Sequence, residues 1–189
     1  MIDFKDFCDC KLILESQDNV AVLAFGRMNP PSMGHYKMME KMVKEAKKYK
    51  ATAFLYLSHT QDKKKNPLDY DTKIDLVKKY APKGLKVCKS PVKTFIDACK
   101  EVANMGAKKI VFVCGEDRTA EYDRLLNKYK DEIGVDEVEI VTLDRGDGIS
   151  GTKLRELILK GDYDAFEKES LPKKDDAKKV YDIVREVLG

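Results

Sequence analysis

Two short segments carry residues whose types and spacing suit a phosphate anion. The first reads Gly26-Arg27-Met28-Asn29-Pro30-Pro31-Ser32-Met33-Gly34-His35. Gly26 lets the backbone approach a ligand closely, the two prolines fix the path of the loop, and Ser32 can cap a helix starting at the next residue. Gly34 and His35 then fall in the first helical turn, where unpaired N–H groups and the macrodipole favour an anion. A histidine there can donate to a phosphate oxygen and stabilise charge that develops during phosphoryl transfer. The competing reading is a capped helix whose His35 packs or faces solvent. The second segment reads Arg145-Gly146-Asp147-Gly148-Ile149-Ser150-Gly151-Thr152-Lys153-Leu154-Arg155, again glycine-rich and again entering a helix. Ser150 or Thr152 can cap that helix, and either hydroxyl can donate to phosphate. Arg155 offers a planar fork that a lysine would not match. One such helix start is a weak signal, whereas two that converge are specific.

The surrounding pattern supplies the elements that must position them. Val20 to Phe25, Ala51 to Leu57, Leu85 to Cys88, Ile110 to Cys114 and Val138 to Leu143 are short apolar runs of strand length. Between them lie helical patterns over Met33 to Tyr49, from about Asp71 to before Pro82, Val92 to Met105 and Thr119 to Tyr129. From Ser150 onward the chain reads as helical, broken by Gly161 and by Leu171-Pro172. Strands separated by helices of this length require crossover connections, hence a mainly parallel sheet covered on both faces. A ligand then lies beyond the carboxyl ends of the strands near a topological switch point, which singles out the loops after Phe25, Leu57, Cys114 and Leu143.

Composition narrows the classes. The 189 residues are 37% charged and 43% hydrophobic, with 36 Lys+Arg against 33 Asp+Glu and a formal charge of +3. That balance gives a core under a charged surface and no excess for wrapping a polyanion, so nucleic acid is not expected as a partner, while small anions remain open. No run approaches the ~20 apolar residues of a membrane span, and Met1 to Asp6 is acidic and mixed where a signal peptide is basic and then apolar. No membrane association is expected, and the protein is expected to be soluble and intracellular. The odd count of 5 cysteines (Cys8, Cys10, Cys88, Cys99, Cys114), three of them in apolar runs, suits free thiols in a reducing cytosol. With only His35 and His59, no second ligand pair accompanies Cys8 and Cys10 at zinc spacing, so no metal site on protein ligands is expected.

The two segments resemble signatures of the nucleotidylyltransferase superfamily related to class I aminoacyl-tRNA synthetases. Gly26 to His35 is similar to G-R-F-x-P-x-H-x-G-H, and Ile149 to Arg155 to I-S-x-T-x-x-R. Within it the likeness is nearest to archaeal-type nicotinamide mononucleotide adenylyltransferases and their phage-encoded relatives. Asn66-Pro67-Leu68 lies where those enzymes have E-N-P-F, Ser150-Gly151-Thr152 matches their S-G-T, and Gly161-Asp162 through Leu171-Pro172 is similar to their closing segment before a last helix. Ser32 stands where the first motif histidine would be, as threonine does in phosphopantetheine adenylyltransferases, and Met28 and Asn29 replace an aromatic residue and a glutamine. Arg145 with Gly148, Ile149 and Ser150 also resembles the R-T-x-G-I-S-T motif of cytidylyltransferases.

The resemblance implies an α/β, Rossmann-like doubly wound five-stranded parallel sheet with a C-terminal helical segment. Residues 1–19 are expected as an extension packed on the domain, 20–160 as the nucleotidylyltransferase domain and 161–189 as a helical segment of the same domain. It implies an enzyme that passes a nucleotidyl group, adenylyl favoured, from ATP or CTP to a small phosphomonoester such as nicotinamide mononucleotide, with release of pyrophosphate and Mg²⁺ accompanying the triphosphate. His35, Ser32 and Arg155 are its implied catalytic residues. Gly26, Arg27, Met28, Gly34, Ser150, Gly151 and Thr152 would bind the nucleotide and its phosphates. Asn66, Gly115, Asp117 and Arg118 would meet the ribose or second substrate, although Asp117 can equally start the next helix. Lys63-Lys64-Lys65 reads as a solvated loop or as a cover for phosphate, His59 as a surface residue, and the Met28, Met33, Met38, Met39, Met42 group as core filling. The alternatives are a cytidylyltransferase, or an inactive nucleotide-binding or phage-particle-associated protein. A homo-oligomer and a cytoplasmic location (host cytoplasm if phage-encoded) are further expectations.

Overall fold

The computed structural model describes residues 19–143 and 149–189. The expectations for the packed extension, Cys8, Cys10, Arg145 and Gly148 lie outside the described residues. Five parallel strands form one sheet in the order β3-β2-β1-β4-β5: β1 Val20–Gly26, β2 Thr52–Leu57, β3 Leu85–Cys88, β4 Lys109–Gly115 and β5 Glu137–Leu143. The expected α/β class and parallel sheet are therefore present.

Both faces of β1 are apolar because both are covered. Val20, Val22 and Ala24 pack with Met39, Met42 and Ala46 of α1 (Met33–Lys48) and with Ile74 and Val77 of α2 (Tyr70–Tyr80). Ala21 and Leu23 face the other way, toward Cys99 and Val102 of α3 (Phe95–Asn104), Leu126 of α4 (Thr119–Lys128) and Ile133 of α5 (Lys130–Ile133). Connections on opposite faces make the β1–β4 boundary the switch point. There the sheet also splits: β1 and β4 are last in register at Leu23↔Phe112, whereas β1 follows β2 to Gly26↔Leu57 and β4 follows β5 to Gly115↔Leu143. The crevice that results opens at the carboxyl ends of the strands.

Caps set the helix boundaries more sharply than periodicity does. Asp69 accepts from the Thr72 N–H, so α2 starts at Tyr70 rather than at about Asp71. Thr94 accepts from the Asp97 N–H, so α3 starts at Phe95 and the residues from Val92 stay outside it. The helix expected over Thr119 to Tyr129 ends at Lys128, and the short α5 follows, closed by Gly134 at a φ of 85°.

After β5 come α6 (Gly151–Lys160), α7 (Tyr163–Glu169) and α8 (Lys174–Leu188). Leu154, Ile158, Phe166, Val180 and Tyr181 form their own core, onto which Leu68 and Leu76 pack from the α2 side. The chain between α7 and α8 returns to the first motif: Ser170 bridges Ser32, and the Leu171 N–H donates to the Pro31 carbonyl at 3.1 Å. Cys99 and Cys114 are free and buried, and burial raises the pKa of both thiols. Among the described residues no helix is long and apolar enough to cross a membrane.

Candidate active site

At the start of α1, Ser32 is the cap and is fully buried. Its backbone N–H donates to His35 Nδ1 at 3.0 Å, its hydroxyl lies 2.9 Å from the same nitrogen, and the hydroxyl accepts from the His35 N–H at 3.4 Å. Histidine thus takes the place usually held by Glu or Gln in a capping box. Because Nδ1 accepts from a backbone N–H, the neutral ring carries its hydrogen on Nε2, the edge turned away from Ser32. The ring is thus fixed by the cap, beside a cleft that it lines.

The cleft lies between α1, the ends of β4 and β5 and the start of α6, with a volume of about 510 Å³ when its open mouth is counted. Ser32, Gly34 and His35 line it from α1, Gly115 and Leu143 from the strand ends, and Ile149 and Ser150 from the entry to α6. Lys37 and Met38 complete the wall. Lys37 did not stand out in the sequence, and Met38 was expected as core filling, although both lie one helical turn beyond Gly34 on the same face.

The start of α6 is built differently. Ser150 caps it by accepting from the Lys153 N–H at 3.3 Å. Thr152 is exposed, and its hydroxyl accepts from Arg155 Nη2 at 3.1 Å. Arg155 Nη1 donates at 2.6 Å to the carbonyl of Asn29, in the first motif. Gly151 lies so close to that loop that a Cβ would stand 3.1 Å from the Pro30 oxygen and 3.3 Å from the Asn29 oxygen. The structure therefore brings the two helix starts together, with β4 between their strands. Burial lowers the Arg155 pKa, and the positive charge of Arg27 lowers it further. Two guanidinium groups that repel each other, one exposed and one half-buried, form a place that a polyanion relieves.

Gly26 ends β1, and the Ser58 N–H donates to its carbonyl at 2.9 Å. Met28 sits at a φ of 44°, a left-handed conformation costing about 1–2 kcal/mol for such a residue. Its side chain is fully buried in the core beside α1. That burial is worth about 1.5–3 kcal/mol and outweighs the strain. Met28, Met39 and Met42 are core, as expected of the methionine group, whereas Met33 and Met38 are half-buried and Met38 lines the cleft.

The remaining expectations divide. Of Gly115, Asp117 and Arg118, Gly115 lines the cleft; Asp117 is exposed in a short 3₁₀ turn, and Arg118 donates to Glu121 at 2.9 Å. Asn66 is buried, its amide donates to Asp62, and its Oδ1 has no partner among the described residues. Asp62 also accepts from the N–H groups of Lys64 and Lys65 at 2.8 and 2.6 Å, bonds that hold its carboxyl down at about 2. The lysines of that turn are exposed. His59 departs from the surface expectation: it is half-buried, stacks on Tyr70 with ring centroids 3.7 Å apart, and its Nε2 donates to the Ser90 carbonyl at 2.7 Å.

Two further residues at this end were not found from sequence. The Asn29 carboxamide bonds both backbone groups of Leu68, and Lys73 in α2 is fully buried with Nζ donating to the Ser58 carbonyl at 2.7 Å. Burial pulls the Lys73 pKa down to about 8. Spacing could have revealed it, since Lys73, Val77 and Tyr80 share one helix face. Among the described residues no group of carboxylates, histidines and cysteines could hold a metal ion, and the cleft wall consists of hydrogen-bond donors and apolar groups. Such a lining suits a triphosphate whose Mg²⁺ is held by phosphate oxygens and water.

A parallel sheet that parts at its switch point, with two capped helix starts joined there by the Arg155–Asn29 bond, defines an α/β protein of the Rossmann-like class. The chain belongs to the cytidylyltransferase-like family, within the nucleotidyltransferase superfamily; the family model matches residues 23–157. Among solved structures, Thermotoga maritima TmcAL bound with alpha-thio ATP aligns with a TM-score of 0.51 at 10% identity, over 88% of this chain and 55% of that one. A macrolide-efflux protein from Streptococcus pneumoniae aligns with a TM-score of 0.47 at 20% identity, over 78% of this chain and 54% of that one. The chain thus spans about half the length of these proteins, and the likeness to TmcAL is one of fold. No curated protein matches the sequence.

Proposed function

We propose that the protein transfers a nucleotidyl group, adenylyl favoured, from a nucleoside triphosphate to a small phosphomonoester such as nicotinamide mononucleotide. The observation that carries this reading is the 2.6 Å bond from Arg155 to the Asn29 carbonyl, which joins the two motif-bearing helix starts over one cleft. A phosphate oxygen of the acceptor attacks the α-phosphorus in line. A new P–O bond forms as the α–β bridging bond breaks, and the electron pair leaves with pyrophosphate. The protein supplies position and charge, with no covalent intermediate.

In this scheme His35 donates from Nε2 to the α/β-phosphate region, where negative charge grows. Ser32 keeps the ring in its donor tautomer rather than meeting phosphate itself. Arg155 and Arg27 neutralise the β- and γ-phosphates and the departing pyrophosphate, while the N–H groups around Gly34 and Gly151 add partial positive charge. Mg²⁺ bound to the phosphates would offset further charge on the leaving group. Asn66 and the lysine turn after β2 lie on the acceptor side of this arrangement.

A cytidylyl donor is the second reading, favoured by the family to which residues 23–157 belong. Purified protein with Mg²⁺, ATP or CTP, and a panel of phosphomonoesters decides between them through pyrophosphate release. The expected result is release with ATP and nicotinamide mononucleotide. Release only with CTP establishes the second reading. Nucleotide binding without release for any pair would refute both and leave a binding protein.

A further inference from the structure

Asn29 occupies the point where three loops meet. It is 3% exposed. Its Nδ2 donates to the Leu68 carbonyl at 2.9 Å, and its Oδ1 accepts from the Leu68 N–H at 2.9 Å. One side chain thereby satisfies both backbone groups of a buried residue at the far end of the β2–α2 loop, as a neighbouring strand would. Only a carboxamide can do this, because the contact needs a donor and an acceptor side by side. The same residue's carbonyl receives Arg155 Nη1 at 2.6 Å. Gly151, without a Cβ, packs against the Asn29 and Pro30 oxygens.

The consequence concerns Arg155. Its fork is anchored by Thr152 in its own helix and by the Asn29 carbonyl in the first motif. The direction of that carbonyl depends on the peptide plane of Asn29, and the plane depends on where the carboxamide is fastened. We infer that Asn29 is a positioning residue that makes the placement of Arg155 conditional on the β2–α2 loop. The inference deepens the proposed function: the loop on the acceptor side sets the arginine on the triphosphate side, so the two substrate halves are coupled through a single side chain. Arg155 itself would not lose its partner atom in any Asn29 variant, since that partner is backbone. A loss that depends on Arg155 must therefore act through position.

The test is a double-mutant cycle on Mg²⁺-triphosphate binding, measured by calorimetry with ATP and CTP. Asn29→Ala is expected to weaken binding about tenfold in the wild-type background and by less than about threefold when Arg155→Ala is already present. Equal losses in both backgrounds would overturn the inference. Asn29→Gln, which keeps both polar groups on a longer stem, should recover part of the loss; Asn29→Asp, which sets a carboxylate oxygen against the Leu68 carbonyl, should recover none. A second measurement needs no nucleotide: hydrogen exchange at the Leu68 amide together with the Arg155 side-chain NMR signals. Asn29→Asp should speed exchange at Leu68 and shift the Arg155 signals. Faster exchange with unchanged Arg155 signals would show that Asn29 holds only its loop. If wild-type protein binds neither triphosphate, the functional reading fails, while the exchange experiment still decides the coupling. Should Asn29→Ala not fold, Asn29→Asp takes its place in the cycle.

Discussion

At the start of α1 the motif side chain His35 is held by the helix's own cap, whereas at the start of α6 the motif side chain Arg155 is held by another loop as well as by its own helix. Ser32 directs both its N–H and its hydroxyl at His35 Nδ1, from three residues away. Arg155 has one local partner, Thr152, and one in the first motif, Asn29. The difference separates the two requirements of a transfer site. A donor that must meet growing charge gains from being fixed before substrate arrives, since no reorganisation remains at the moment of reaction. A guanidinium that binds polyphosphate can be shared between loops, at the cost of depending on their mutual placement.

Removing the donor held by the Ser32 cap should have the largest effect. His35→Ala is expected to lower turnover about 100-fold, the scale of one transition-state donor, with a much smaller change in triphosphate affinity. Ser32→Ala leaves the Ser32 N–H bonded to Nδ1 and should cost about tenfold. Wild-type turnover in His35→Ala, followed by pyrophosphate release, would remove His35 from the chemistry. At the other helix start, Arg155→Ala should weaken turnover per unit of triphosphate about 30-fold. Arg155→Lys should recover little, because an ammonium cannot bond Asn29, Thr152 and phosphate from one plane.

Gly151→Ala strikes the junction alone. Its Cβ would lie 3.1 Å from the Pro30 oxygen, so α6 and the first motif must move apart by a few tenths of an ångström. Triphosphate KM should rise about fivefold while kcat at saturation stays within about twofold, because His35 keeps its cap. A fall in kcat with KM unchanged would mean that the two helix starts are not separable in this way.

The same contrast explains what was legible in the sequence. Strands buried on both faces write themselves as apolar runs, and helix starts write themselves as Ser, Gly and Pro at fixed offsets, so the sheet and both motifs could be read from local pattern. The Ser32–His35 pair lies within one helical turn and was visible in outline. The Asn29–Leu68 clamp spans 39 residues and the Arg155–Asn29 bond spans 126, and nothing local marks either. Asn29 looked like a mere replacement for a motif glutamine. Ser32 was legible as a helix cap, but not the contact of its hydroxyl with His35 Nδ1 at 2.9 Å. Helix starts slipped by a residue or more where a cap, Asp69 or Thr94, outweighed apolar spacing.

The smallest expected change in activity comes from a support behind the first motif. Lys73 is buried behind the carboxyl end of β2, where Nζ donates to the Ser58 carbonyl, and the Ser58 N–H in turn holds the end of β1. Asp69 is the charge that favours its protonated form, but burial dominates and lowers the pKa from 10.5 to about 8. The sign follows from proton counting. Below pH 8 both folded and unfolded chains carry the proton, so the cost of burying the charge is fully present. Between about 8 and 10.5 the folded protein sheds it while the unfolded chain keeps it, and the Lys73 contribution becomes less unfavourable as pH rises. Lys73→Met keeps the stem, removes the charge and strands one carbonyl; it should raise stability by about 1 kcal/mol near pH 7. The advantage over wild type should shrink as pH climbs toward 10.5, as followed by thermal melts of both proteins across that range. Turnover should stay within about twofold, because the Ser32 cap does not rest on the ammonium. A larger loss of turnover would mean that α1 is not self-contained, and that its donor, like Arg155, is placed from the loop next door.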